Sequence, residues 1–411
     1  MDLIARELGC DPWEIRHRNA LRPGDTLPTG QVLDASTAAV ACLERAERET
    51  GFRARWREVE AARRAAASGE APDERAPRRG IGLSLFFHGS GFTGNGERRM
   101  RSPVTARLTA DGRVEVLTAM TDMGQGCAAV FPQIACEAGG LVPDDVVFAE
   151  PDTDRVPDSG PTVASRTTMV VGGTIARAVG ELTGRVVDWW RGERGGEGEL
   201  EVVASRLTGA DGTWAFREVA SAYLAAHGAL EVTLRHEPPA WQTFDESAYR
   251  GAAYPTYSWG ADVVEVELDP ATFEVRATEV TTVCDVGRAI HPTLCRGQVE
   301  GGTLQAVGWA LMEEIKLDGG RYMNDRLATY IIPTAMDAPR LRTVLLEHAY
   351  DDGPFGAKGV GELPMDGGAP ATAAAIDAAT GLFVDRIPAT PERLHAWSLE
   401  GAGADGGTLA R

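Results

Sequence analysis

No stretch of this 411-residue chain comes near the roughly 18 consecutive apolar residues that a membrane-crossing helix requires. Histidine is scarce: the seven residues are scattered, and none joins carboxylates at metal-ligand spacing. The six cysteines, Cys10, Cys42, Cys127, Cys136, Cys284 and Cys295, include no CxxC pair. That argues against a zinc finger or an iron–sulfur cluster on this chain, so an electron carrier would belong to another. The thiols read as buried and reduced, as in a cytosolic protein. A Walker loop, a GxSxG elbow and an HExxH helix are all missing. Positive charge is short as well: a net charge of −19 disfavours binding to nucleic-acid phosphates. The opening "MDLIARELGCDPWEIRHRNA" is charged and amphipathic and lacks the apolar run of a signal peptide, so the cytoplasm is the expected compartment.

What is present is globular. A chain this long, 43% hydrophobic and 25% charged, holds two or three packed units. Residues 1–20 and 36–68 read as helical, with the Pro- and Gly-bearing loop "LRPGDTLPTGQVL" between them. A polar linker at 66–80 follows. "GIGLSLFFHGSG" and "SPVTARLTADGRVEVLTAM" read as strands, the second a hairpin turning at "ADG". Helices are expected at "CAAVFPQIACEAGG", beyond Ser165–Thr168, at "TWAFREVASAYLAAHG", at "GQVEGGTLQAVGWALMEEI" and at "GAPATAAAIDAATG". "RGERGGEGE" marks an exposed break. "DVVEVELDPATFEVRATEVTTVCDVG" is a hairpin of alternating residues, and "YIIPTAMDAPRLRTVLLEHA" is extended. Helices and hairpins intermixed favour an α+β fold over a doubly wound parallel sheet. The expected units are a helical segment and linker (1–78), two mixed, layered subdomains (79–245 and 246–395) that are candidates for related units, and a flexible tail (396–411).

Four segments could carry chemistry. "TDMGQGC" holds Gln125 between Gly124 and Gly126; it could face a ligand or be a tight turn with an exposed amide. "DSGPTVASRTTMVVGG" gathers hydroxyls where a helix begins, which suits an anion and equally suits ordinary capping. "RGQVEGGTLQ" sets Gln298 near a helix start beside glycine, either as a ligand contact or as a cap with close helix packing. In "GPFGAKGVGELP", Glu362 lies among Gly353, Gly356, Gly359 and Gly361. Such glycines suggest a large flat group against the backbone, with the acid as a partly desolvated general base; a surface acid in a glycine loop is the alternative.

The four segments in this order, with "EVELDPATFEV" and "CDVGRAIHPTLCRGQVEGG" between them, resemble the molybdopterin-binding large subunit of the xanthine dehydrogenase and aldehyde oxidase family. The resemblance runs from about residue 1 to 395 and matches that subunit's C-terminal half. It implies two related molybdenum-cofactor-binding subdomains. Gln125 would lie beside the metal with Met123 and Gly124. Thr162, Ala164, Ser165, Arg166 and Thr167 would contact the pterin and its phosphates, and Gln298 would hydrogen-bond the pterin. Lys358, Gly359, Val360 and Gly361 would wrap the metal end, and Phe92 would stack on substrate. Glu362 would be the catalytic base. No residue would ligate molybdenum directly; the pterin dithiolene holds it. Arg166 and His291 depart from the smaller residue and the Asn usual in the family. The implied activity is hydroxylation of an N-heterocycle or an aldehyde with oxygen from water. The implied cofactor is molybdopterin, either as its plain molybdenum complex or as the cytosine dinucleotide. Partner chains would bring the N-terminal half of the large subunit, a 2Fe–2S subunit and an FAD subunit.

Overall fold

The computed structural model describes residues 1–68, 75–194 and 198–402. The centre of the expected linker (69–74), the middle of the expected break (195–197) and residues 403–411 of the expected tail lie outside the described residues.

The N-terminal segment forms α1 (Asp2–Glu7), α2 (Pro12–Asn19), α3 (Ala39–Thr50) and α4 (Phe52–Ala67). Both long helices expected here are split. The Asp11 carboxylate accepts the Glu14 N–H at 2.8 Å and starts α2 afresh. Gly51, at φ 62, ends α3 in the left-handed conformation that favours glycine. There follow β1 (Arg78–Gly89), α5 (Gly96–Met100), β2 (Val104–Leu108), β3 (Val114–Leu117), α6 (Cys127–Gly139), β4 (Val146–Val147) and α7 (Gly172–Glu193). Next come β5 (Glu201–Val203), β6 (Arg206–Gly209), β7 (Gly212–Ala215), α8 (Phe216–His227), β8 (Glu231–Leu234), β9 (Phe244–Asp245) and β10 (Arg250–Gly251). The chain closes with β11 (Tyr257–Leu268), β12 (Val275–Asp285), α9 (Pro292–Leu311), β13 (Leu317–Asp318), β14 (Arg321–Tyr322), β15 (Arg340–Leu346), α10 (Pro364–Thr380) and α11 (Pro391–Ala402).

Two four-stranded sheets organise this α+β fold. One runs β4-β3-β2-β8, with β3 and β4 parallel and the other pairs antiparallel. Its apolar face (Val104, Ala106, Val114, Val116) packs on Phe131 and Ile134 of α6 and Ile175 and Leu182 of α7. The other runs β1-β11-β12-β15, antiparallel except for the β12/β15 pair. It is covered on both faces. Cys42, Leu43 and Ala46 of α3 pack against Leu83, Trp259 and Val283, and Ala371, Ala375 and Ile376 of α10 pack against Val264 and Val280. Gly80 and Gly82 make the α10 contact possible, since a Cβ on either would stand 2.0 Å from a carbonyl of that helix. The alanine-rich "ATAAAIDAAT" is the matching smooth surface.

The domain boundaries need two corrections. A first unit starting at 79 is wrong for the opening strand: β1 pairs along its whole length with β11, from Arg78↔Leu268 to Gly89↔Tyr257, and so belongs to the later sheet. Nor does the tail start at 396, because α11 runs on to Ala402. Among the described residues, no helix is long and apolar enough to cross a membrane.

Candidate active site

The fold brings all four singled-out segments to one place. Thr121, before the "MGQG" loop, donates its N–H to Thr162 Oγ1 at 3.0 Å. Gly126 backs onto Leu294 in the first turn of α9, where a Cβ would come within 2.6 Å of Leu294 Cδ1. Gln298 lies one turn further along the same helix, half-buried. Gly302 of α9 then meets Pro364 at the start of α10. The Gly91 N–H donates to the Ala164 carbonyl at 2.9 Å, which ties the Phe92 segment to the "PTVAS" loop.

Glu362 sits two residues before Pro364, at the N-terminal end of α10, where the helix dipole favours a negative charge. Its Oε2 accepts two hydrogen bonds, from Ser165 Oγ at 3.0 Å and from the His88 ring Nε2 at 3.3 Å. Ser165 Oγ also accepts the Glu362 N–H at 3.0 Å, so acid and serine hold each other reciprocally. Oε1 has no hydrogen-bond partner among the described residues, and the side chain is 49% exposed. Sequence reasoning expected a partly desolvated acid; in this chain the carboxylate is open on one side and fixed on the other.

Two cations named as cofactor contacts point inward instead. The Arg166 guanidinium is fully buried: it bonds both carboxylate oxygens of Glu97 (2.9 to 3.3 Å), the Ser159 and Pro161 carbonyls, and Ser102 Oγ. Glu97 also accepts the Phe92 N–H at 3.1 Å. Arg166 therefore laces the loop to its support and presents no charge to a ligand. The Lys358 ammonium is buried as well, 2.6 Å from Asp285 Oδ2 and 2.7 Å from the Ser36 carbonyl. Ala164 (φ 55) and Ser165 (φ 50) are consecutive non-glycine residues in the left-handed region, a strain of about 1–3 kcal/mol each that these anchors hold in place.

The glycines around Glu362 also need a different explanation from a ligand bed. A Cβ on Gly353 would stand 2.0 Å from the Ala357 carbonyl, and one on Gly359 would stand 2.0 Å from the Ser165 carbonyl. Their neighbour is protein. Gly361 alone faces outward, its nearest contact at 3.5 Å. Open surface lies elsewhere in the site: nothing occupies the space beside Gly124, Gly297 and Gly301.

Three devices escaped sequence reasoning. Asp122 shapes the "MGQG" loop: its carboxylate accepts the Gly124, Gly126 and Ala128 N–H groups at 2.9 to 3.1 Å. Those bonds, the one from Ala128 first, hold its carboxyl below the usual range. The Asp-x-Gly spacing was the available signal. The Gln125 amide is folded back, accepting from the Met123 N–H at 2.7 Å and donating to the Thr121 carbonyl at 2.8 Å. Buried Ser90 and Ser258 pin the Gly359 peptide: Ser90 Oγ accepts its N–H at 3.0 Å, and Ser258 Oγ donates to its carbonyl at 2.6 Å. A lone serine in a strand carries no comparable signal. His291 has a plain task, since its Nδ1 accepts the Leu294 N–H at 3.3 Å and caps α9 as an Asn could.

An extended, anionic, partly flat cofactor fits this arrangement. No side chain caps the helical start at Thr167–Val171, and a helix start is a place where backbone donors suit an anion. Gly124, Gly297 and Gly301 leave room along "MGQG" and α9, and the Gln298 amide projects from that helix. The cysteines do not compete for it: burial pushes the Cys127 thiol up to about 12 and Cys295 up to about 11, which leaves both inert.

Residues 52–339 match the molybdopterin cofactor-binding domain family. Aldehyde oxidoreductase of Megalodesulfovibrio gigas is 30% identical over 413 residues, spanning 96% of this chain and 39% of that protein. The xanthine dehydrogenase molybdenum-binding subunit of Escherichia coli is 29% identical over 399 residues, spanning 96% of this chain and 50% of its own length. The crystal structure of quinoline 2-oxidoreductase from Pseudomonas putida 86 superposes with a TM-score of 0.80 at 28% identity, covering 97% of this chain and 51% of that one. The chain thus spans about half the length of its relatives, or less. With the four segments gathered in one place and the family match running from α4 to the approach to β15, the chain belongs to the molybdopterin cofactor-binding domain family of the xanthine dehydrogenase and aldehyde oxidoreductase proteins.

Proposed function

We propose that this chain carries the base and part of the cofactor cradle of a molybdenum hydroxylase, which inserts water-derived oxygen into an N-heterocycle or an aldehyde. The observation that carries the reading is the asymmetry of Glu362: one oxygen is held twice, by Ser165 and His88, and the other has no hydrogen-bond partner among the described residues. The loop at Met123–Gln125, Thr162, Ala164, Ser165 and Thr167, the Gln298 amide and the backbone of Val360 and Gly361 would hold molybdopterin, as the plain molybdenum complex or the cytosine dinucleotide. Bound there, the cofactor supplies the redox chemistry and the water-derived oxygen. Ser165 fixes Glu362, and Glu362 Oε1 takes the proton released during hydroxylation. Phe92, whose backbone is tied to Glu97, would flank the substrate. The two sheet-bearing bodies would be the two related cofactor-binding subdomains.

The remaining part of the large subunit would complete the site, with 2Fe–2S and FAD on partner chains. One observation supports a covering partner: an exposed apolar stretch after α9 that includes Leu327 (79% exposed) and Met336 (85% exposed). The test is to prepare Glu362→Gln in the assembled enzyme and assay it on heterocycles and aldehydes alongside its molybdenum content. Full metal with turnover lost is the expected result; normal turnover overturns the assignment.

A further inference from the structure

His88, near the end of β1, lies between two acids of one segment. Its Nδ1 is 2.9 Å from Asp366 Oδ2, in the first turn of α10, and its Nε2 is 3.3 Å from Glu362 Oε2. An ionised carboxylate only accepts hydrogen bonds, and a neutral imidazole carries a single N–H. Both contacts are made together only when the ring is an imidazolium. The register of β1 fixes the ring's origin, since His88 pairs with Ser258, whose hydroxyl pins Gly359 just before Glu362.

We propose that His88, fixed by Asp366, is a positioning residue for Glu362: the imidazolium grips Oε2 and keeps Oε1 aimed into the site. The proposal rests on the reading of Glu362 as the base. The charged groups facing the ring are Asp366 from α10 and Glu362 from the loop before it; behind them lies Asp262 of β11, whose carboxyl is pushed up to about 7 by burial, with the Asp366 charge adding to it. Arg166, the cation next to Ser165, is turned away on Glu97. The Asp366 hydrogen bond, with Glu362 adding to it, raises the His88 pKa above its ordinary 6.5 against the effect of burial. A raised pKa gives stability that is complete below 6.5 and is lost as pH rises through the folded value. The grip on Glu362 is lost over the same interval.

Two measurements on the assembled enzyme, wild type against His88→Gln, test this. The first is thermal unfolding at about pH 6 and about pH 9, with the stability gap expected to shrink at the higher pH. A gap that stays constant with pH overturns the imidazolium clamp, whatever Glu362 does. The second is the pH profile of kcat/KM. The wild type should fall on the alkaline side; Asp366→Asn should move that fall to lower pH; and His88→Gln should lack it, with kcat lower by on the order of 10- to 100-fold and KM and molybdenum content kept. A pH-dependent stability gap without this alkaline fall removes the clamp's role in aiming the base. A merely structural histidine would not move the profile. Normal turnover of Glu362→Gln, by contrast, counts against the base assignment and leaves the unfolding result standing.

Discussion

Ser165 and Arg166 are neighbours in one loop, and each holds a carboxylate. Arg166 turns inward to Glu97, and the pair is sealed, with side chains 0% and 2% exposed. Ser165 turns outward to Glu362, which is 49% exposed and bonded through one oxygen. The inner acid has all its bonding capacity satisfied, as a buried charge must. The outer acid is half satisfied, which a buried structural acid could not tolerate. One strained turn thus serves as anchor and as mount, and the difference predicts what each acid does when removed.

The largest expected effect is on the outer acid. Glu362→Gln should lower turnover by roughly 100- to 10,000-fold, and urea unfolding should shift by no more than about 0.5 kcal/mol, as for an ordinary surface change. A comparable loss of stability would erase the contrast. Glu97→Ala should do the reverse, costing about 3–5 kcal/mol in urea unfolding because the Arg166 charge is left buried and alone. Pairing it with Arg166→Met should recover part of that loss, since the orphaned charge goes too. Next come the glycines. Gly359→Ala drives a methyl toward the Ser165 carbonyl and should cost about 1–3 kcal/mol, whereas Gly361→Ala, whose methyl would meet Ser165 at an ordinary 3.5 Å, should stay within about 0.5 kcal/mol. Equal effects at both would mean that the loop packing described for Gly359 is wrong. The smallest is Ser165→Ala, which should cost about 1 kcal/mol for the hydrogen bonds it makes and lower kcat more than it changes KM.

Much of the fold was legible because its signals are local. The alternation in "VVEVELDPATFEV" forecast the β11–β12 hairpin, and Gly381, at φ 79, stops α10 where the sequence said it would. The start of α10 was missed: the helix was expected from Gly368 and "ELP" was read with the glycine loop, although Pro364 at the first helical position is a standard opening. The site was legible as four segments in order. Its internal bonding was not, because the partners are remote. Nothing near Gly359 in sequence announces the Ser165 carbonyl, and nothing in "LFFHGS" ties His88 to an acid 274 residues away. Lys358 and Arg166 were taken for ligand contacts on the family resemblance, which says nothing of their partners. Asp285 and Glu97, which take them up, lie about 70 residues away in each case.

The place of β1 in the later sheet bears on how the protein is made. This strand leaves the ribosome long before β11, its one neighbour in the sheet among the described residues, is synthesised. At ordinary translation rates it waits roughly ten to thirty seconds with an apolar edge unpaired. His88 waits longer still, for Glu362, and Ser84 for Gly367, 283 residues ahead. The site is therefore among the last things to form on the nascent chain, and a chaperone that shelters β1 in the interval would set the yield of folded protein.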